Sequence, residues 1–332
     1  MILIINYVSF NNLGVIMKFK SLTLAILVSL GASSISAAPI QLEYNDQKVQ
    51  LNQVPKKIAV YELSALDTLN ALGVEASIIP DTTFTGSLKK YSQNKFTKAG
   101  SLFEPNQAIL KEQKPDLIIL GGRSASQADT LKTIAPTINL WPNTQKFDAD
   151  LQERTFALAK LFNKEKIAQE KLKKIKDLQA QLKKQTQGKK GLMVFAMGEN
   201  FMPHAENERF GFVYDFSGLQ PTLKPVQQTN APRPAPGSPE ALKAAQVNLE
   251  RLEEAVKNNP DFIIVLDRSA VNTQKYTAQD FIQKHPVLKN AEAVKNKKVI
   301  YVDADAWYLT GPGLDNTAFM LQELIKGTKA SS

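Results

Sequence analysis

Residues 114–126 read KPDLIILGGRSAS, and residues 259–271 read NPDFIIVLDRSAV. Both carry Pro-Asp, continue as an unbroken apolar run and reach Arg-Ser-Ala with the Arg eight residues after the Pro. A short apolar run without alternation, bounded by Pro and a turn, predicts a strand buried on both faces. Strands of this kind belong to parallel sheets, whose ligands bind beyond the carboxyl ends of the strands. Arg123 and Arg268 each fall just past such an end. If the two halves face each other, both guanidinium groups enter one cleft, where permanently charged planar donors suit an anion. The competing reading pairs each Arg with a local acid, such as Asp267 beside Arg268.

Outward from the first copy, strand signals (residues 56–61, 76–80, 137–141) alternate with helix signals (64–74, 104–113, 126–135), with Ser64 as N-cap and Gly73 as stop of the first helix. Alternation of that kind predicts a parallel sheet of the α/β class. Residues 148–187 contain neither Gly nor Pro and form two helical segments, the second capped by Asn163 and about 35 Å long at 1.5 Å per residue. A flexible linker would be rich in Gly, Ser or Pro, so a stiff rod is expected between the halves. The second half repeats the pattern: strands at 191–197, 260–267 and 297–303, helices at 210–218, 239–259, 278–291 and 315–327, and a proline-rich loop over 220–239. The expected fold class is α/β: two lobes with central, mostly parallel sheets joined by one long rigid helix. The boundaries are a signal peptide at 1–37, an N-terminal lobe at 38–147, linking helices at 148–188 and a C-terminal lobe at 189–332.

The net charge of +9 among 332 residues admits nucleic acid, a membrane surface or an anionic small ligand as partner. Residues 164–190 hold ten lysines against three acids, so most of the net charge lies on a solvated helix face; nucleic-acid binding is not expected. The chain has no cysteine, which excludes disulfides, thiolate metal sites and a Cys nucleophile. It has no Gly-x-Ser-x-Gly elbow and only two histidines, His204 and His285, so neither a catalytic triad nor a zinc site is expected, and the chain reads as a non-enzyme. Residues 17–39, MKFKSLTLAILVSLGASSISAAP, read as an export signal with Lys18 and Lys20 ahead of an apolar core too short to span a bilayer. Met17 is read as the initiator and the cut as following Ala37. No Cys is present there for acylation, so a freely diffusing periplasmic protein is expected.

The stretches VPKKIAVYELSALDTLNALGV, FEPNQAILKEQKPDLIILGGR, ERFGFVYD, FIIVLDRS and VIYVDADAWYLTGPGL, in that order, resemble the periplasmic siderophore-binding proteins of bacterial ABC importers, in the branch that takes catecholate or mixed catecholate complexes. The resemblance spans the mature chain. It implies two lobes, a shallow cleft, no intrinsic cofactor, and Fe(III) carried as a ferric-siderophore complex to an inner-membrane permease by a monomer. It implies pocket arginines at Arg123, Arg209 and Arg268, and a tyrosine that some members use as an iron ligand at Tyr308. The histidine that accompanies that tyrosine is missing from the proline-rich loop, which suits a siderophore, or two siderophores, filling the iron's own coordination sites. Arg233 in that loop is placed to compensate, and His204 to line the cleft. Tyr61, Trp141, Phe201 and Trp307, near strand ends, are expected to meet the ligand's rings. Glu104 and Glu250, with Glu253 as rival to Glu250, are the expected permease-docking acids. The alternative within the same fold is a haem- or corrinoid-binding protein.

Overall fold

The computed structural model describes residues 40–227 and 234–330; the expected signal peptide and Arg233 lie outside the described residues. A hairpin comes first, β1 (Ile40–Tyr44) and β2 (Gln47–Leu51), turning through Asn45, whose φ of 50° is left-handed. No strand is expected here from the sequence.

Five parallel strands follow: β3 (Ile58–Val60), β4 (Ile78–Ile79), β5 (Thr97–Lys98), β6 (Leu117–Leu120) and β7 (Thr137–Asn139). They are ordered β5-β4-β3-β6-β7. Helices α1 (Leu63–Ala71), α2 (Gln107–Gln113) and α3 (Ala128–Lys132) make the crossovers β3–β4, β5–β6 and β6–β7. Chain direction across the sheet reverses between β3 and β6, the switch point at which open α/β sheets bind ligands.

The second sheet contains β8 (Lys190–Met197), β9 (Asn200–His204), β10 (Gln220–Pro221), β11 (Phe262–Asp267) and β12 (Val299–Tyr301). Its path is β10-β8-β11-β12, all parallel, with β9 antiparallel to β8 along the β10 edge. The switch point here lies between β8 and β11. Between the sheets run α4 (Phe147–Leu161) and α5 (Glu165–Gln185); α6 (Phe212–Ser217), α7 (Pro239–Lys257), α8 (Ala278–Ile282), α9 (Glu292–Lys295) and α10 (Leu314–Ala330) complete the second half.

The repeated motif has a structural account. Lys114 and Asn259 take left-handed φ values of 49° and 55° and end the preceding helices, and each Pro prevents continuation. Asp116 accepts the amides of Lys56 and Lys57, both at 2.8 Å, and Asp261 accepts that of Lys190 at 2.8 Å. Each Asp therefore pins the entry of the neighbouring strand, β3 in one sheet and β8 in the other. The strand then runs fully buried and delivers its Arg at the switch point.

α5 buries Ala168, Ile175, Gln179 and Leu182, a single stripe at spacings of seven, four and three. Its other face is charged, with Lys173 and Asp177 paired at 2.6 Å. At 1.5 Å per residue its 21 residues span about 31 Å. One continuous apolar core joins residues of the first sheet (Val60, Ile119), α5 (Ile175, Leu182), the second sheet (Ile264, Leu266) and α10 (Leu321, Leu324). Two helix starts differ from expectation. Ser64 lies inside α1, and the cap is Glu62, whose carboxylate accepts the Ser64 amide. Asn163 does not cap α5; with φ at 55° it closes α4 as a left-handed residue.

Candidate ligand-binding cleft

Beyond the carboxyl ends of both sheets lies a cleft of about 310 Å³, at the lower end of the range for small-molecule sites. It is lined by Glu62, Arg123, Trp141, Arg209, Tyr308 and Pro312, among others.

Tyr308 is its centre. It sits in a π-helical turn, Asp305–Thr310, and its ring stacks on Phe195 of β8 with centroids 5.8 Å apart. Three guanidinium groups converge on that ring: Arg268 at 4.7 Å from the centroid, Arg209 at 4.8 Å and Arg123 at 5.9 Å. Burial pushes the phenol's pKa up, but the donor and charge of Arg268 and the charge of Arg209 outweigh it and hold it below the usual phenol range. Such a group is readily ionised by further positive charge, and phenolate is a hard oxygen donor.

Arg123 crosses between the halves. Its Nη2 donates to the Tyr308 carbonyl at 2.7 Å and its Nη1 to that of Leu309 at 3.3 Å. Asp267 does not pair with Arg268: its carboxylate accepts the amides of Ser269, Thr277 and Ala278. Among the described residues no carboxylate lies within ion-pair distance of Arg123 or Arg268.

The turn after β6 is built around its two glycines. A side chain at Gly121 would overlap the Glu62 carboxylate, and one at Gly122 would come within 2.8 Å of the Trp141 ring. Trp141 therefore lies flat on the turn with 40% of its surface open. The Trp141 carbonyl accepts from Tyr44 of β1 at 2.9 Å, so the hairpin missed in the sequence fixes the cleft rim.

Trp307 borders the cleft but is 2% exposed, stacked on Phe212 at 5.7 Å, with Nε1 donating to Glu323 at 2.9 Å. Burial pushes the Glu323 carboxyl up to about 7. A carboxyl that holds its proton more tightly when folded contributes stability that is complete below its unfolded value and lost as pH rises through the folded one. Glu323→Gln is therefore expected to lessen the fall in Tm between pH about 5 and about 8. Thermal melts at both pH values check this; an unchanged difference contradicts it.

Several expected residues lie elsewhere. Tyr61 is 1% exposed and gives its hydroxyl to the Ala99 carbonyl at 2.6 Å, because an inward position on the strand exit faces the helix-covered side of the sheet. Phe201 is 5% exposed, packed edge-on against His285 in the second-half core. His204, at the end of β9, packs its ring on Phe195 and Phe210 behind the cleft wall and is not among the lining residues. Glu62, Gln145 and Asn207 line the cleft and were not anticipated. Only Glu62 carried a sequence signal, an acid directly after a buried strand. Among the described residues no group of three or more His, Asp or Glu gathers to hold a metal ion.

Glu104 and Glu250 are both exposed, on the β5–α2 loop and on α7. The Glu104 loop is fixed by its own amide bonding to Ser101 Oγ at 3.0 Å and its carbonyl accepting the Ser101 amide at 3.0 Å.

The chain is 30% identical over 292 residues to the petrobactin-binding protein YclQ of Bacillus subtilis, an overlap of 86% of each chain. The YclQ crystal structure superposes with a TM-score of 0.76 at 27% identity, covering 88% of this chain and 99% of that one. The ferric-anguibactin-binding protein FatB of Vibrio anguillarum is 27% identical over 298 residues, 87% of each chain. The siderophore-binding protein BauB, solved with a complex of two acinetobactin molecules and ferric iron, superposes at a TM-score of 0.73 with 26% identity, covering 88% of this chain and 99% of BauB. Residues 58–306, which hold both switch points and all three converging arginines, match the periplasmic binding protein family, and the chain belongs to it.

Proposed function

We propose that this protein captures an anionic ferric siderophore, of catecholate or mixed catecholate type, in the cleft and delivers it to an inner-membrane ABC permease for iron uptake. The observation that carries the reading is the convergence of Arg123, Arg209 and Arg268 on one phenol ring. A ferric ion wrapped by three catecholates has a charge near −3, and each of its metal-bound oxygens accepts hydrogen bonds from a guanidinium fork. The names of YclQ, FatB and BauB support the same cargo class. Haem and corrinoids, the alternative, offer less concentrated negative charge.

Iron is cargo here, and the siderophore supplies most of its ligands. Tyr308 is the protein oxygen that an unsaturated complex, such as one tetradentate siderophore on its iron, would recruit; two siderophores sharing one iron need no protein ligand. Trp141 offers its open face to a ligand ring, an interaction worth about 0.5–1.5 kcal/mol beyond burial. Residues 1–37 direct export and are removed, leaving a monomer that diffuses in the periplasm without an anchor. Glu104 and Glu250 steer docking on the permease, a task suited to exposed charges at a reversible interface. The protein binds and releases its cargo without catalysis.

Native mass spectrometry of the protein with a panel of ferric siderophores tests the function. Adducts with tris-catecholate or mixed catecholate complexes are expected. Adducts with haem or corrinoid alone would overturn the assignment.

A further inference from the structure

Two carboxylates interrupt the cleft's positive charge: Glu208, which is taken up by an ion pair with Arg251, and Glu62. Glu62 follows β3 at the switch point of the first sheet and lines the cleft, although the residue is 3% exposed. Its two carboxylate oxygens have different surroundings. Oε1 accepts the Ser64 amide at 3.1 Å and the Ser64 hydroxyl at 2.7 Å, which completes the cap of α1. Oε2 lies over the α-carbon of Gly121 and accepts no hydrogen bond from any described residue.

A helix cap needs a single acceptor, and a Ser, Asn or Asp provides it in less space. The second oxygen is thus surplus to the fold, and it is not sealed in the interior but open to the cleft, where a ligand's donor can reach it. Its setting is also specific. Trp141 lies on Gly122, next to the Gly121 that receives the carboxylate, so a carboxylate and an open indole face flank one turn. That combination suits an ammonium group, which needs both an acceptor and a ring face. The charged groups acting on Glu62 are Arg123 from the turn after β6 and Arg154 from α4; both favour its ionised form, while burial opposes it more strongly and leaves its pKa raised. A cationic nitrogen arriving at Oε2 adds to the side of Arg123 and Arg154.

We propose that Glu62 and Trp141 form a second recognition point in the cleft, one that takes a protonated, hydrogen-bond-donating nitrogen on an arm of the chelator. The inference rests on the ferric-chelate reading of the cleft and deepens it. The metal-bound oxygens lie toward Arg209 and Arg268, and the nitrogen-bearing arm lies toward the first-half wall. A ligand lacking that nitrogen forgoes a charge-assisted hydrogen bond to Oε2.

Two charge-matched probes isolate the hydrogen bond: iron(III) in excess dopamine, and iron(III) in excess N,N,N-trimethyldopamine. Both arms are cationic and only the first donates. Quenching of Trp141 and Trp307 fluorescence reads binding. The wild-type chain is expected to bind the dopamine chelate at least about tenfold more tightly, the scale of one charge-assisted bond. Glu62→Gln keeps the acceptor for Ser64 and is expected to bring the ratio close to one. Equal affinities in the wild type, which need no variant, overturn the proposal and leave the cleft's function standing. An unchanged ratio in a Glu62→Gln protein with a native far-ultraviolet spectrum overturns it as well. Both probes are net neutral, so iron(III) in excess catechol, whose tris-chelate carries −3, serves as the reference: quenching by it and by neither arm-bearing chelate overturns this proposal alone, and quenching by none of the three removes the chelate reading as well.

Discussion

Replacing Arg154 by Met is expected to destabilise the protein by about 3–5 kcal/mol, the cost of stranding one partner of a buried ion pair. Arg154 is 1% exposed, on the face of α4 turned to the first half. Its Nε donates to Asp150 at 2.8 Å, its Nη2 to the Pro312 carbonyl at 2.8 Å and its Nη1 to Ser64 Oγ at 3.4 Å. Asp150 in turn accepts from the Tyr44 hydroxyl. One guanidinium thus ties α4 to α1, to the loop before α10 and, through Asp150, to the hairpin. Met fills much of the volume but leaves the Asp150 carboxylate buried with the Tyr44 hydroxyl alone. Urea unfolding checks the result: the midpoint should fall with little change in slope. Adding Asp150→Asn should restore part of the stability, because it removes the stranded charge. A decrease below about 1 kcal/mol in the single variant would mean that the pair is solvated and is no structural tie. The same variant should weaken ligand binding, since the Trp141 carbonyl and Pro312 both depend on this network.

The strands that build the two sheets are legible in the sequence because burial on both faces leaves continuous apolar runs, and Pro and Gly mark their ends. So is the placement of Arg123 and Arg268, which follows from the repeated strand alone. Elements specified by tertiary packing are not legible. The β1–β2 hairpin depends on Tyr44 reaching Trp141, a partner 97 residues away. Strand β9 carries Pro203 and exists because β8 offers a free edge beyond the short β10. Tyr61 and Phe201 are misplaced by sequence reasoning because proximity to a strand end does not say which way a side chain points; one register step turns it from cleft to core. The arginines around Tyr308 can be named from the sequence, but their geometry depends on the π-turn, which no local sequence pattern announces. Glu62 escapes notice because an acid before a helix reads as a cap, and only the position of Gly121 shows that half of the carboxylate is unused.

Removing the charges of Arg209 and Arg268 together, as Arg209→Gln with Arg268→Gln, is expected to weaken binding of a ferric tris-catecholate by about 3–6 kcal/mol, or two to four powers of ten in Kd. Each arginine gives one charge-assisted hydrogen bond to a multiply charged ligand, and each substitution removes it. Both groups share one ring, so simple addition of the two effects sets the upper end of that range. Binding should also become less sensitive to salt, because two of the three converging charges are gone. Fluorescence titration at low and high ionic strength measures both effects; a weakening smaller than tenfold, with unchanged salt dependence, contradicts the assignment. The same substitutions release the Tyr308 phenol from its two strongest acidifying neighbours, so its pKa should rise in the ligand-free protein, visible in an ultraviolet titration. Tyr308→Phe separates the two roles open to that ring. If the siderophore supplies the iron's ligands, the ring is the surface that holds three guanidinium groups together, and Phe keeps that surface and most of the affinity. If the phenolate enters the coordination sphere, Phe abolishes the phenolate-to-iron charge-transfer band and costs more than about a thousandfold in affinity, over 4 kcal/mol. The first outcome is expected, because the three cations already match the charge of a saturated complex, and a phenolate added to it would return one unit of repulsion.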